Sequence, residues 1–296
     1  MLSILIPVYN FDIRPLVADL HGQCEASGKD FEIVCFDDGS SESFKKTNRE
    51  IRGLEHLVYR ELEQNLGRSA IRNALGKAAR FPFLLFMDCD SKVVRKDFIQ
   101  NYLAHLQPGA LVYGGRSYGA QPPVDDAFYF HWLYGINREQ STAEQRRKFP
   151  YHSFMTNNFL VPSDIFLHIG FDETLTQYGH EDTLFGMELA KHNIPIVHID
   201  NPLEHIGLEP AAVFLKKTRQ GLENLALLWY AGKLVDTKLL RTFLALQRLG
   251  MQKPMAWLFS KTENSLVQNF TTKHPSLRLF DLYKLGYFAR LIQQKP

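Results

Sequence analysis

Two aspartates separated by one residue follow a run of apolar residues, Phe83–Phe86. The run is typical of a buried parallel strand, because both faces of such a strand are covered. If the chain stays extended past Met87, Asp88 and Asp90 project to the same side of the strand and Cys89 to the other. Paired carboxylates at the carboxyl end of a strand suit a hard divalent cation, and open α/β sheets bind ligands at that edge. A strand end with two solvated acids is the alternative, since Asp-x-Asp is a common sequence.

Polar turns also follow the first two strands predicted along the chain. Residues Tyr9–Asn10 come after the first strand and Asp37–Ser40 after the second. The carboxyl ends of neighbouring parallel strands meet at one edge of a sheet, so we expect both turns to lie beside Asp88–Asp90. The convergence of three polar strand ends carries more weight than any one of the motifs.

The elements that must position these residues alternate between strand and helix at short spacing. Pro7 is expected to end the first strand, and Asp12, Ser41 and Ser163 are available as helix caps. The alternation predicts an α/β fold with a mainly parallel central sheet, flanking helices and right-handed crossovers. Strands are expected at residues 2–6, 31–36, 56–60, 83–86, 110–113, 156–161 and 195–200, with helices that include 96–106, 181–192 and one ending near residue 79.

Two stretches depart from this alternation. Residues 115–155 are rich in aromatic side chains and predict a partly helical insertion, either a lid or an aromatic helix packed on the core. From Pro210 onward the pattern is helical, with helices expected at residues 211–230, 237–249 and 283–293.

Charge is unevenly distributed along the 296 residues. Residues 210–296 carry 14 Lys and Arg against 4 Asp and Glu, a formal charge of +10, whereas residues 1–209 carry −8. The basic end is expected either to contact an anionic membrane surface or to be a helical subdomain with a solvated basic face. No nucleic-acid-binding motif accompanies it, so nucleic acid is not an expected partner.

The cysteines indicate the redox state of the protein's compartment. Cys24, Cys35 and Cys89 form neither a disulfide framework nor a zinc spacing, which favours a reducing environment. Met1 leads directly into a predicted strand, so no signal peptide is expected. No apolar run approaches the roughly 20 residues that a membrane-spanning helix needs. We therefore expect a cytoplasmic protein, at most peripheral at the inner face of a membrane.

Five short segments follow one another along the chain: Ile6–Asn10, Asp37–Ser40, Asn65–Arg68 with Arg72-Asn73 after it, Met87–Asp90 and Tyr178–Phe185. Together they resemble the motifs of family 2 glycosyltransferases with the GT-A fold. The resemblance implies a GT-A domain at residues 1–208, with a nucleotide-sugar-binding half at 1–114 and an acceptor-side half at 115–208. A basic helical region, 209–296, lies outside it.

The family implies inverting transfer of a sugar from a nucleotide sugar, usually a UDP-sugar, to a saccharide or lipid-linked acceptor in polysaccharide or glycolipid synthesis. Tyr9 would stack on the base, and Asp37 or Asp38 would accept a hydrogen bond from uracil, although Asp-Gly-Ser is also ordinary turn chemistry. Arg68 would face the base or the phosphates, or else is a surface arginine. By resemblance the full set of donor contacts is Pro7, Tyr9, Asn10, Asp37, Asp38, Asn65, Arg68 and Asp88.

Breaking a sugar–diphosphate bond leaves negative charge on the diphosphate, which a divalent cation or arginine side chains must stabilise. Asp88 and Asp90 are the candidate metal ligands, although in relatives the first often contacts the ribose. By resemblance His205 is the third ligand, and an ordinary buried or surface histidine is the alternative. An imidazole beside carboxylates suits Mn²⁺ better than Mg²⁺.

Direct displacement also needs a base that takes the proton of the acceptor hydroxyl. Glu181 and Asp182 are adjacent at a predicted helix start, about 100° apart around the axis, so they point in different directions. By resemblance Asp182 is the base and Glu181 positions the acceptor or neighbouring loops, with His180 as a rival base. Acids that serve only the helix dipole are the alternative.

Two other functions are kept open. A sugar-1-phosphate nucleotidyltransferase shares the sheet but usually carries a Gly-rich, Arg-containing loop after the first strand, where this chain has Pro7–Asn10. The other is a non-catalytic nucleotide-sugar-binding protein. Inactive relatives tend to lose metal or base carboxylates, and all of these are present here.

Overall fold

Ten strands form two sheets in the computed structural model, counted over the residues that it describes, which are 1–174, 179–233 and 237–294. The strands are β1 (Leu2–Val8), β2 (Phe31–Asp37), β3 (Leu57–Glu61), β4 (Phe83–Met87), β5 (Ser91–Val93), β6 (Leu111–Tyr113), β7 (Arg116–Ser117), β8 (Asn158–Pro162), β9 (Ile196–His198) and β10 (Leu203–His205). The main sheet has the order β3-β2-β1-β4-β8-β6-β9. All of its strands run parallel except β8, which is antiparallel to both neighbours.

Helices cover both faces of the main sheet, because alternate residues of its strands point to opposite sides. In β1, Ile4 and Ile6 join the apolar cluster that includes the first and fourth helices, whereas Leu5 joins the cluster of the third, seventh and eighth. The predicted α/β architecture is therefore confirmed. The helices are α1 (Arg14–Ser27), α2 (Glu42–Asn48), α3 (Arg68–Ala78), α4 (Phe98–Ala104), α5 (Tyr129–Tyr134), α6 (Ala143–Arg147), α7 (Ser163–Ile169), α8 (Glu181–Lys191), α9 (Ala211–Tyr230), α10 (Lys238–Arg248), α11 (Gln252–Phe270) and α12 (Leu277–Gln294).

The second sheet has the order β5-β10-β7. Through it, segments that are distant in sequence come to lie next to the end of β4. His205 of β10 is the register partner of Ser91 in β5. The backbone N–H of Ile206 donates to the carbonyl of Asp90 at 2.9 Å. This pairing places the end of β10 directly beside the turn that contains Asp90.

Several predicted boundaries were wrong at the level of single residues. The first strand does not end at Pro7 but continues to Val8, which pairs with Asp37. Pairing with β4 stops at Leu5, so the missing N–H of Pro7 interrupts no bond to that strand. Ser163 is the first residue of α7 rather than its cap.

The proposed caps of the first two helices also differ from expectation. Ser41 occupies the cap position of α2 without a side-chain cap bond. Asp12 lies just outside the cap of α1 and accepts the backbone N–H of Arg14 at 3.1 Å. The helical pattern after Pro210 is confirmed, with α9 at its predicted bounds, but it also contains α11, which was not predicted.

The described chain divides into two compact units. The first comprises residues 1–119, 139–174 and 181–207, and the second comprises 120–138, 179–180, 208–233 and 237–294. In the second unit, the buried Phe130 of α5 lies 5.0 Å from Phe270 and 5.1 Å from Phe280 between ring centroids. The aromatic stretch of residues 129–134 is thus a packed helix. Among the described residues, no helix is both long and apolar enough to cross a membrane.

Candidate active site

The turns that follow β1 and β2 are hydrogen-bonded to each other at one edge of the main sheet. The backbone N–H of Asn10 donates to Ser40 Oγ at 2.8 Å, and Asn10 Oδ1 accepts the N–H of Ser41 at 2.8 Å. Asn10 adopts a left-handed backbone conformation, with φ of 49°, which Asn tolerates better than most residues. Beside it the side chain of Tyr9 is 54% exposed, so its ring is accessible from this edge.

Asp37 and Asp38 both use their carboxylates to shape the neighbouring loops. Asp37 is fully buried, accepts the Ser40 N–H at 2.8 Å and the Tyr59 hydroxyl at 3.0 Å. Asp38 accepts the backbone N–H of Leu66 at 2.7 Å and that of Gly67 at 3.2 Å. In this structure both carboxylates therefore accept hydrogen bonds within the turn and the neighbouring loop, as ordinary turn chemistry predicts.

The loop that opens α3 packs closely on the Asp38 turn. Asn65 Nδ2 donates to the carbonyl of Asp38 at 2.9 Å. Gly39, with φ of 77°, permits this approach, because a Cβ there would lie 3.0 Å from the backbone nitrogen of Asn65. The turn after β2 and the start of α3 consequently form one continuous backbone surface beside Tyr9.

Asp88 lies between two arginines that the sequence analysis had not assigned to the site. Its Oδ1 accepts from Arg72 Nη2 at 2.5 Å and its Oδ2 from Arg116 Nη2 at 3.3 Å. Arg116 Nη1 also donates to Glu139 at 3.0 Å, and Glu139 accepts the hydroxyl of Tyr118. Arg116 follows β6 at the same edge of the sheet, so the strand-end argument used for the aspartates could have found it. For Arg72, the sequence signal was its position just after the Asn65–Arg68 motif.

Asp90 pairs with His205, as the small sheet requires. Asp90 Oδ1 lies 3.4 Å from His205 Nδ1, and His205 is buried. Burial disfavours the charged carboxylate, but His205 together with Arg116 and Arg68 holds the pKa of Asp90 well below its usual range. Asp90 is thus held ionised next to an imidazole.

The structure brings together two of the three residues expected to bind a metal. Within the described residues no group of three or more His, Cys, Asp and Glu side chains is placed to hold an ion. Asp88 is turned towards its arginines, whereas Asp90 and His205 offer an oxygen and a nitrogen at one point. A buried Asp90 Oδ1 without a conventional hydrogen bond fits a divalent cation that takes its other ligands from a diphosphate and water.

Glu181 and Asp182 open α8 and have opposite electrostatic surroundings. Glu181 Oε1 accepts from Arg68 Nε at 2.5 Å, across 113 residues of sequence. Although burial opposes its ionisation, the charges of Arg68 and Arg72 lower the pKa of Glu181. Burial and the charge of Glu181 instead raise the pKa of Asp182 to about 6. Asp182 Oδ1 accepts the N–H of its own neighbour Thr183 at 2.7 Å.

The backbone just before this acidic pair is fixed by α9. The buried Asn224 donates from Nδ2 to the carbonyl of Gly179 at 3.2 Å. Gly179 has φ of 103°, and a Cβ there would lie 3.0 Å from the Cα of Gly221. A glycine is required at this close approach. His180 follows with φ of 71°, and Tyr178, part of the predicted motif, lies outside the described residues.

The chain is similar to known glycosyltransferases in sequence. The family model for glycosyl transferase family 2 matches residues 3–168. Validoxylamine A glucosyltransferase of Streptomyces hygroscopicus subsp. limoneus is 29% identical over 225 residues, which cover 66% of this chain and 49% of that protein. The matched region is thus about two thirds of this chain but only about half of each of these two relatives.

Solved structures show the same fold at low sequence identity. Residues 1–349 of S. aureus TarS in complex with UDP-GlcNAc align with a TM-score of 0.50 and 20% identity, over 74% of this chain and 64% of that chain. The mannosyltransferase PcManGT from Pyrobaculum calidifontis, in complex with GDP-Man and Mn²⁺, aligns with a TM-score of 0.53 and 13% identity, over 99% of this chain and 86% of that chain.

Proposed function

Since the chain belongs to glycosyl transferase family 2 and has the GT-A fold, we propose that it transfers a sugar from a nucleotide sugar, with inversion, to a hydroxyl of a saccharide or lipid-linked acceptor. The donor would be a UDP-sugar, of the hexosyl or N-acetylhexosaminyl type. The product would belong to a polysaccharide or glycolipid.

The observation that carries the proposal is the contrast between the adjacent carboxyls at the start of α8. Arg68 holds Glu181 ionised at the donor edge, so Glu181 serves as a fixed positioning group. Asp182 has its pKa raised to about 6, close to neutral pH, which suits a group that must accept a proton. In our proposal Asp182 takes the proton of the acceptor hydroxyl as its oxygen attacks the anomeric carbon.

The donor would lie along the edge formed by the ends of β1, β2 and β4. Tyr9 would stack on the base, and the turn at Asp38 together with the loop at Asn65, which donates to it, would line the polar rim of the base site. Asn10 and Asp37 would act by shaping this loop surface rather than by direct contact, given the hydrogen bonds they make. Pro7 would act in the same way through its place in β1 beside Phe36. Arg68, Arg72 and Arg116 supply positive charge for the departing diphosphate.

A divalent cation, Mn²⁺ or Mg²⁺, would be held by Asp90 and His205, and when bound it would neutralise charge on the diphosphate. Asp88 contributes indirectly in this arrangement, because it fixes Arg72 and Arg116. A role of Asp88 at the ribose is compatible with its place at the strand end.

The proposal assigns residues 1–208 to the glycosyltransferase domain and residues 209–296 to a basic helical region. Within the first, residues 1–114 would bind the nucleotide sugar and 115–208 would contribute to the acceptor side. We propose a cytoplasmic protein, peripheral at the inner face of a membrane, because the three scattered cysteines favour a reducing compartment and the C-terminal residues are basic.

A panel of nucleotide sugars with Mn²⁺ tests the function directly. We expect slow hydrolysis of one donor, because water substitutes for an absent acceptor. A donor that binds without turnover would instead favour a non-catalytic nucleotide-sugar-binding protein. Release of pyrophosphate from a nucleotide and a sugar 1-phosphate would identify a nucleotidyltransferase, which the absence of a Gly-rich loop after β1 disfavours.

The raised pKa of Asp182 predicts the pH dependence of the reaction. The active form of a base is deprotonated, so kcat/KM should be constant above neutral pH and fall about tenfold per pH unit below 6. The charged or titratable groups facing Asp182 are Glu181, Arg68 and Tyr113. The measurement is a pH profile of kcat/KM with saturating acceptor. His180→Gln is the control, since an imidazole also titrates in this range. If that variant lost the acidic limb, His180 would be the base.

A further inference from the structure

The corner between α10 and α11 carries apolar side chains that are exposed in the described part of the chain. Leu249 and Met251 lie in the turn between the two helices, and Trp257 and Leu258 lie on the following turns of α11. Their exposed fractions are 74%, 47%, 65% and 45% respectively. Single exposed apolar residues are normal, but four within ten residues indicate a surface that is covered by something else. We call this surface the α10–α11 face.

Basic residues are frequent in the same two helices. Between Thr237 and Thr262 the sequence has five Lys and Arg residues and no Asp or Glu. All five are exposed: Lys238, Arg241 and Arg248 on α10, and Lys253 and Lys261 on α11. The charge complement of the face is therefore an anionic partner.

Helix geometry places the two kinds of side chain side by side. Lys253 and Lys261 are each four residues from Trp257, so all three lie on one stripe of α11. On α10 the three basic residues are exposed, whereas Leu240 and Phe243 are buried. Each helix thus packs its apolar stripe inward and turns its cations outward.

We propose that the α10–α11 face docks peripherally on an anionic lipid surface. Trp257 and Leu258, with the turn residues, would enter the boundary between headgroups and acyl chains, where tryptophan is favoured. The five cations would lie at the level of the lipid phosphates. A second copy of the chain fits poorly, because it would bring two predominantly basic surfaces together. A nucleic acid would leave the aliphatic side chains in water.

The proposal gives a physical basis to the peripheral location suggested above and is independent of the active site, because lipid binding requires no turnover. The test is sedimentation of the full chain with vesicles of phosphatidylcholine alone and with vesicles in which about one third of the lipid is phosphatidylglycerol. We expect at least about tenfold stronger partitioning to the anionic vesicles, weakening as salt is raised. Equal binding to both, or none, would overturn the proposal.

Two variants separate the face from nonspecific attraction of a basic protein. Lys253→Glu with Lys261→Glu, and separately Trp257→Ser, should each weaken partitioning to anionic vesicles by about tenfold or more. The control, Lys77→Glu with Lys96→Glu, reverses two exposed charges elsewhere and should bind like the parent. Melting curves verify that each variant is folded. Parent-like lipid binding by both face variants would refute a lipid-docking face. So would a parent protein that forms a concentration-dependent dimer, if the face variants lost that dimer and kept their lipid binding.

Discussion

Replacing Asp182 by Asn is expected to lower kcat for sugar transfer by a factor of about 10²–10⁴ while leaving donor affinity unchanged. Asparagine keeps the side-chain oxygen that accepts the Thr183 N–H, so the start of α8 should retain its geometry. The amide cannot take a proton from the acceptor hydroxyl. The loss should therefore appear in the chemical step and not in binding of UDP, which calorimetry measures separately.

A matched control distinguishes a base from an acid that merely stabilises a helix. Asp164 is an exposed acid in the first turn of α7 and interacts with that helix dipole in the same way. Asp164→Asn should keep parent activity. If Asp182→Asn also turned over as fast as the parent, the assignment of the base would be wrong, and the two acids of α8 would be explained by the dipole alone.

Replacing Asp90 by Asn is expected to have the second large effect, on the cation. Asp90 and His205 are the two predicted metal ligands that the structure places together, at 3.4 Å. Loss of the carboxylate charge should weaken Mn²⁺ binding to the protein–UDP complex by at least about tenfold and lower transfer by about 10²-fold. The Mn²⁺ affinity is read from the electron paramagnetic resonance signal of the free ion, which does not depend on turnover.

Two comparisons define what that experiment decides. Asp97→Asn alters an exposed carboxylate paired with Arg95 and should leave Mn²⁺ affinity unchanged. Asp88→Asn should weaken UDP binding more than Mn²⁺ binding, because Asp88 holds Arg72 and Arg116. Parent-like Mn²⁺ affinity in Asp90→Asn would exclude the Asp90–His205 pair as the metal site.

Much of the sheet and its polar edge follows from local sequence. Largely apolar runs of the length of a strand, each followed by a polar turn, predicted β1, β2 and β4 together with the turns at their ends. The bounds of α9 and the start of α8 at Glu181 also matched, since helical periodicity and acidic first-turn residues are properties of short segments. Composition predicted the basic C-terminal helices, including their charge.

Partnerships within the site depended on contacts between distant segments. The pattern of Thr156–Val161 indicated a buried strand but not its antiparallel direction, because a strand covered on both faces has the same pattern either way. Asp88 and Asp90 were expected to share one ion, yet the first contacts Arg72 and Arg116 and the second His205.

The sequence by itself determined the fold class, the family and which strand ends are the candidates for the site, because these depend on residue types at short spacing. Only the tertiary structure decided which acidic side chain contacts which arginine or histidine. These contacts also produce the difference in pKa between Glu181 and Asp182. Glu181 and Asp182 have similar intrinsic acidity, and burial raises the pKa of both. Their pKa values are separated by the two arginines of α3, which lower that of Glu181, and by the charge of Glu181, which raises that of Asp182.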